Sequence, residues 1–239
     1  MLSLKSVIAL LQFCTIIPLG KPVEFEEFAK MSWLYPVAGY ITGGFAALVS
    51  FFIPDHALSA AFAIAGLFLI TGCNHLDGLL DFGDGLMAHG NREKRIRALT
   101  DRQIGTGAVA MAVSVILISW AGLQAVSPII WALIAGEVCA KFSMAFLTVY
   151  GKPFREGIHS YLHSMSRHRF VIYAAILCIP IAFIPVSPPK LVLSAVMMVL
   201  VPILLLGISG RLFGGVNGDI VGASNEITRA MVIVVFALL

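Results

Sequence analysis

LVLSAVMMVLVPILLLGISG, residues 191–210, runs for twenty positions without a charged side chain. At about 1.5 Å of rise per residue, a helix of that length covers roughly 30 Å, the hydrocarbon thickness of a bilayer. The stretch therefore reads as a transmembrane helix. Working outward, residues 33–53, 57–76, 108–126, 129–149 and 170–189 repeat the pattern at similar length. The tail 227–239 is a shorter seventh candidate, so six crossings stay open if it does not span. Residues 1–19 place Lys5 ahead of an apolar run, but no small-residue cleavage site follows and Pro18-Leu19-Gly20-Lys21-Pro22 ends it. The expectation there is a short interfacial helix.

Composition agrees. Of 239 residues 59% are hydrophobic and 12% charged, with a mean hydropathy of +0.95, whereas a soluble domain carries roughly 25% charged residues. The connections leave no room for a soluble domain, so the fold expected is an all-α, polytopic helical bundle forming one integral membrane domain over 1–239. Cys14, Cys73, Cys139 and Cys178 lie within apolar segments without metal-ligand spacing and read as buried free thiols. A net charge of +3 is too small to call for a nucleic-acid partner, and membrane lipid is the surrounding medium. Of the 16 Lys and Arg residues, fourteen fall at or beside the N-terminal segment and alternate loops, Lys190 alone falls on the opposite side, and Lys141 lies within a span. The positive-inside rule then sets the N-terminus and the long loops in the cytoplasm, with the chain in the cell's inner membrane. The sequence leaves a monomer and a homo-oligomer both open.

The polar chemistry lies in those same loops. His75-Leu76-Asp77-Gly78-Leu79-Leu80-Asp81-Phe82-Gly83-Asp84-Gly85 closes the second predicted span. At about 100° per residue Asp77, Asp81 and Asp84 fall near 0°, 40° and −20°, on one narrow helix face. Three carboxylates in register repel one another and call for a cation, and all-oxygen ligands suit Mg²⁺ or Mn²⁺. The interleaved glycines, each about 1 kcal/mol poorer than Ala in a helix, make sense where a ligand or another helix approaches closely.

Asp101-Arg102-Gln103-Ile104-Gly105-Thr106-Gly107 leads into the third span. Asp101 is placed to complete a metal shell, and Arg102 and Gly105 at a helix N-terminus suit a phosphate. Gly214 to Glu226 reads as a glycine-rich last loop in which Asn217, Asp219 and Glu226 could wrap a ligand. Glu137 and Lys141, spaced i, i+4 in the fourth span, can neutralise each other. His159, His163 and His168 read as solvated loop residues.

At these motifs the chain resembles the cobalamin synthase family, the adenosylcobinamide-GDP ribazoletransferases of the late cobamide pathway. The matching stretches are Leu10 to Pro18, His75 to Gly85, Asp101 to Gly107 and Gly214 to Glu226, in family order. Cys14 and Ile16-Ile17 depart from the pattern, which has a Leu and an Arg-Ile there. The resemblance implies an enzyme that joins α-ribazole or its 5′-phosphate to adenosylcobinamide-GDP and releases GMP. It implies Mg²⁺ held by Asp77, Asp81 and Asp84, with Asp84 or His75 accepting the hydroxyl proton. Asn217, Asp219 and Glu226 would meet guanine or ribose hydroxyls, and the basic residues from Arg92 to Arg102 a phosphate. Two other readings stay open. A CDP-alcohol phosphotransferase also sets aspartates on a membrane helix, although Leu79-Leu80-Asp81 follows Asp77-Gly78 where that family has Ala-Arg. A cation or metabolite transporter could use the same acids, although these sit toward the membrane edge and transporter sites lie near the midplane.

Overall fold

The computed structural model describes residues 3–239; Met1 and Leu2 of the predicted N-terminal helix lie outside them. The described residues form helices and no named strand. In order, these are α1 (Leu4–Cys14), α2 (Phe25–Ala29), a 3-10 turn (Ser32–Leu34), α3 (Tyr35–Phe51), α4 (His56–Ile70), α5 (Asn74–Met87) and α6 (Arg92–Leu99). Then come α7 (Thr106–Gln124), α8 (Ile129–Tyr150), α9 (Ile158–Met165), α10 (Arg169–Cys178), a 3-10 segment (Ile179–Phe183), α11 (Pro188–Leu212) and α12 (Gly218–Leu238). Five helices are long and apolar enough to cross a membrane, and two bent pairs raise the count to seven if each is one span. The chain is thus an integral membrane protein.

α8 and α12 are the innermost helices. α3 lies directly against α8 because Gly39 and Gly43, one turn apart, remove the side chains that would hold the backbones away. A Cβ on Gly39 would sit 2.7 Å from the Glu137 carbonyl oxygen, and one on Gly43 2.9 Å from Ile134 Cα. Such small-residue stripes let membrane helices pack where no hydrophobic force separates protein from lipid. α11 is the least buried of the five, and its apolar surface suits lipid contact.

Three expected elements differ. The second span is broken: α4 stops at Ile70, and α5 leaves at 95° to it. Gly72 and Cys73 make that corner with φ of 60° and 59°, the left-handed region that costs a non-glycine residue about 1–2 kcal/mol. Cys73 stands exposed at this corner, unlike the other three thiols. The fifth span is also shorter than 170–189, since Pro180 follows α10 in a 3-10 turn that ends at Phe183. The Gly214–Glu226 loop is mostly helix. Asn217 caps α12 by accepting from the Ile220 N–H, so the predicted tail 227–239 is the second half of one 21-residue helix.

The break positions the polar residues. α5 crosses the N-terminal turns of α7 and α12, and its glycines make the crossing close. A Cβ on Gly78 would lie 2.6 Å from the Asp219 carbonyl oxygen, and one on Gly83 2.7 Å from Met111 Cβ. Arg95 of α6 donates to the Leu86 carbonyl at 2.8 Å and so caps the end of α5. Pro153 and Val216 form an isolated parallel bridge, which brings the segment after α8 beside the start of α12.

Candidate active site

Asp77, Asp81, Asp84, Asp101, Arg102 and Asp219 line one cleft of about 350 Å³ where α5, the loop before α7 and the start of α12 meet. Arg155 joins them, held by the Pro153–Val216 bridge, with its guanidinium 3.5 Å from Asp219. The three α5 carboxylates do share a face, but they serve different partners. Asp84 takes the N–H of Gly105 at 2.7 Å on one oxygen and of Ala108 at 2.8 Å on the other. The anion at the N-terminus of α7, where the sequence suggests a phosphate, is therefore Asp84 itself. Gly105 makes room for it, since a Cβ there would sit 2.6 Å from the Asp84 carboxylate.

Asp77 and Asp81 accept no hydrogen bond from a described residue, and Asp101 accepts only the N–H of Gln103, at 3.1 Å. Among the described residues no three His, Cys, Asp or Glu side chains stand close enough to hold an ion by themselves. What the cleft presents is a set of carboxylate oxygens faced by Arg102 and Arg155, a surface on which a cation and an anionic ligand would each find partners.

Not every expected residue reaches it. Asn217 is buried, caps α12 and donates to the Asp219 carboxylate. Glu226 is 2% exposed and forks onto the Arg229 guanidinium, which also donates to Glu137 at 2.9 Å. Lys141 donates to Asn225 at 2.7 Å and lies 3.7 Å from Glu137. Glu137, Lys141, Glu226 and Arg229 thus form a buried network of two acids and two bases between α8 and α12, and Thr42 of α3 donates into it. Glu226 belongs to this scaffold; as part of a loop it would have been free to meet a ligand, but on the third turn of α12 it faces inward.

The sequence reading missed Arg155 and His159. Arg155 resembles any other topology-setting cation until the bridge brings it to Asp219. His159 is helical and 4% exposed, not solvated, because α9 folds onto the end of α8. There His159 Nε2 lies 2.8 Å from the Gly151 carbonyl and His163 Nδ1 3.0 Å from that of Thr148. The i, i+3 spacing of His159 and Leu162, the two buried residues of α9, carried the signal.

A family model described as cobalamin-5-phosphate synthase matches residues 6–237. A Methanococcoides burtonii protein named adenosylcobinamide-GDP ribazoletransferase is 33% identical, covering 95% of this chain and 89% of its own. Proteins of the same name from Halorubrum lacusprofundi, 35% identical over 92% and 91%, and Archaeoglobus fulgidus, 31% identical over 95% and 94%, are also similar. No solved structure matches.

Proposed function

The chain belongs to the cobalamin-5-phosphate synthase family, and on that premise we propose that it transfers α-ribazole, or its 5′-phosphate, to adenosylcobinamide-GDP and releases GMP. The convergence of Asp77, Asp81, Asp101, Asp219, Arg102 and Arg155 on one cleft carries this reading, and family membership displaces the phosphotransferase and transporter alternatives. In the reaction a ribose hydroxyl oxygen bonds to the phosphorus beside the cobinamide aminopropanol. The bond from that phosphorus to the bridging oxygen breaks, and GMP leaves with the electron pair. Arg102 and Arg155 would hold the diphosphate by charge-assisted hydrogen bonds.

The donor set fits Mg²⁺, and Mn²⁺ equally, because it is all oxygen and Asp77 and Asp81 accept from no donor among the described residues. Mg²⁺ commonly takes one or two carboxylates with substrate phosphates and its own waters, so a closed cage of side chains is not required. When bound, the ion would neutralise charge on the diphosphate and on the departing GMP. Of the two proton acceptors suggested by the sequence, Asp84 has both oxygens engaged, which favours His75, whose ring bonds to no described residue.

The first test is GMP release by detergent-purified protein given adenosylcobinamide-GDP with α-ribazole or its 5′-phosphate. Release with Mg²⁺, its loss in EDTA and its return with Mg²⁺ or Mn²⁺ are expected. Metal-independent turnover would remove the ion from the reading.

The cleft opens at the end of the bundle that carries the basic loops, which supports a cytoplasmic site in the inner membrane. Cys73 lies at that end and is the exposed thiol of the four. A membrane-impermeant maleimide is expected to label it in inverted inner-membrane vesicles and not in intact spheroplasts. The opposite pattern would turn the site outward.

A further inference from the structure

A second cleft, of about 400 Å³, adjoins the first and shares Asp77 and Asp219 with it. Its other walls are mostly apolar or aromatic, with Phe13 of α1 and Tyr35 of α3 among them, and two histidines, His75 and His159, line it. Each of these rings is at least nine-tenths buried, and each has an Nδ1 with no hydrogen-bond partner. Buried polar atoms in native folds are almost always paired, so two orphans in one cleft point to a ligand that supplies what the protein does not.

The chemistry of that ligand can be read from His159. Its Nε2 faces the Gly151 carbonyl at 2.8 Å, and since a carbonyl oxygen only accepts, Nε2 carries the proton. In the neutral ring Nδ1 is then a lone-pair acceptor that seeks an O–H or N–H donor. The volume falls within the roughly 300–1,000 Å³ of small-molecule sites and at their small end, suited to a nucleoside and too small for a corrinoid.

Building on the transferase reading, we propose that this second cleft binds the acceptor nucleoside. Its heteroaromatic base lies against the apolar and aromatic wall, and a ribose hydroxyl donates to His159 Nδ1. The nucleoside's reacting hydroxyl is thereby presented beside His75 at the shared Asp77–Asp219 wall, across which the diphosphate lies in the carboxylate cleft. His159 is a positioning residue here and takes no proton.

The test separates the two substrates. His159→Gln keeps an amide N–H near the Nε2 position for Gly151 and deletes the Nδ1 acceptor. It is expected to raise KM for α-ribazole 5′-phosphate by about ten-fold and to leave KM for adenosylcobinamide-GDP unchanged. Gly218 also lines the cleft, and a Cβ there meets nothing within 4 Å. Gly218→Leu therefore occupies the cleft without straining the backbone and is expected to give the same one-sided rise, which keeps the test intact if the His159 variant fails to fold. A folded variant with unchanged KM for the nucleoside, or with both KM values raised alike, would overturn the proposal. Calorimetric titration of α-ribazole 5′-phosphate alone gives an independent arm. If the wild type binds it and both variants lose it, the cleft is the nucleoside site even should GMP release fail; no binding by the wild type would overturn the assignment.

Discussion

Asp81→Asn is expected to leave the protein folded and membrane-inserted while lowering GMP release by about 10²–10³-fold, the scale on which removing one preorganised electrostatic contact acts. Asp81 is the middle carboxylate of α5, half-buried in the cleft wall and free of any described donor. Its structural contribution is therefore small, and Asn preserves its shape. What Asn cannot preserve is the negative charge, and with it the affinity of the cleft for a cation. Removing one of several neighbouring like charges relieves repulsion in the metal-free protein. The unfolding midpoint of Asp81→Asn in EDTA is thus expected to equal or exceed that of the wild type, while the stabilisation produced by added Mg²⁺ shrinks. Wild-type turnover in this variant would detach the reaction from the carboxylate cleft, and a collapse of stability in EDTA would recast Asp81 as part of the scaffold.

Asp84 is the instructive contrast, because the same helical register that made the three acids legible as a group hides their division of labour. Spacing along α5 shows that they share a face; it cannot show that the first turn of α7 lies under one of them and supplies two N–H groups. The Gly105-Thr106-Gly107 motif was visible as a helix start with unusual room, yet the occupant of that room turned out to be a side chain from 21 residues earlier. Hydropathy likewise gave four membrane crossings, 33–53, 108–126, 129–149 and 191–210, within a few residues but ran straight through Ile70-Thr71-Gly72-Cys73, since a corner made by left-handed backbone at a cysteine leaves no hydropathic trace. The glycines from Gly214 to Gly222 read as a loop, although Asn217 three residues before Ile220 is an N-cap signal and Asp219 is well placed in a first turn. Recognising that cap would have made Asn225, Glu226 and Arg229 neighbours on a helix and pointed them inward. Their partners on α8, some ninety residues away, belong to tertiary structure and have no local signature.

That buried network is where the second large effect is expected, on stability and not on chemistry. Arg229, 2% exposed, is shared by Glu226 and Glu137, and Lys141 offsets the remaining charge. Arg229→Met keeps a flexible side chain of comparable length but leaves two carboxylates buried with one cation. Breaking a buried ion pair from one side costs about 3–5 kcal/mol, because the partner's desolvation is no longer compensated. For a chain of this size that corresponds to a fall of roughly 10 °C in the unfolding midpoint measured in detergent. The double variant Glu226→Gln with Arg229→Met restores electrical balance, with Glu137 facing Lys141, and is expected to recover more than half of the loss. Such recovery would assign the network's contribution to charge balance between α8 and α12, since the double variant is no better packed than the single. A double variant as unstable as Arg229→Met would assign it instead to the guanidinium's own hydrogen bonds, which no neighbouring change can replace. Both variants leave the carboxylate cleft untouched, so any folded fraction is expected to retain the wild-type KM for adenosylcobinamide-GDP, in contrast to Asp81→Asn, where stability holds and turnover falls.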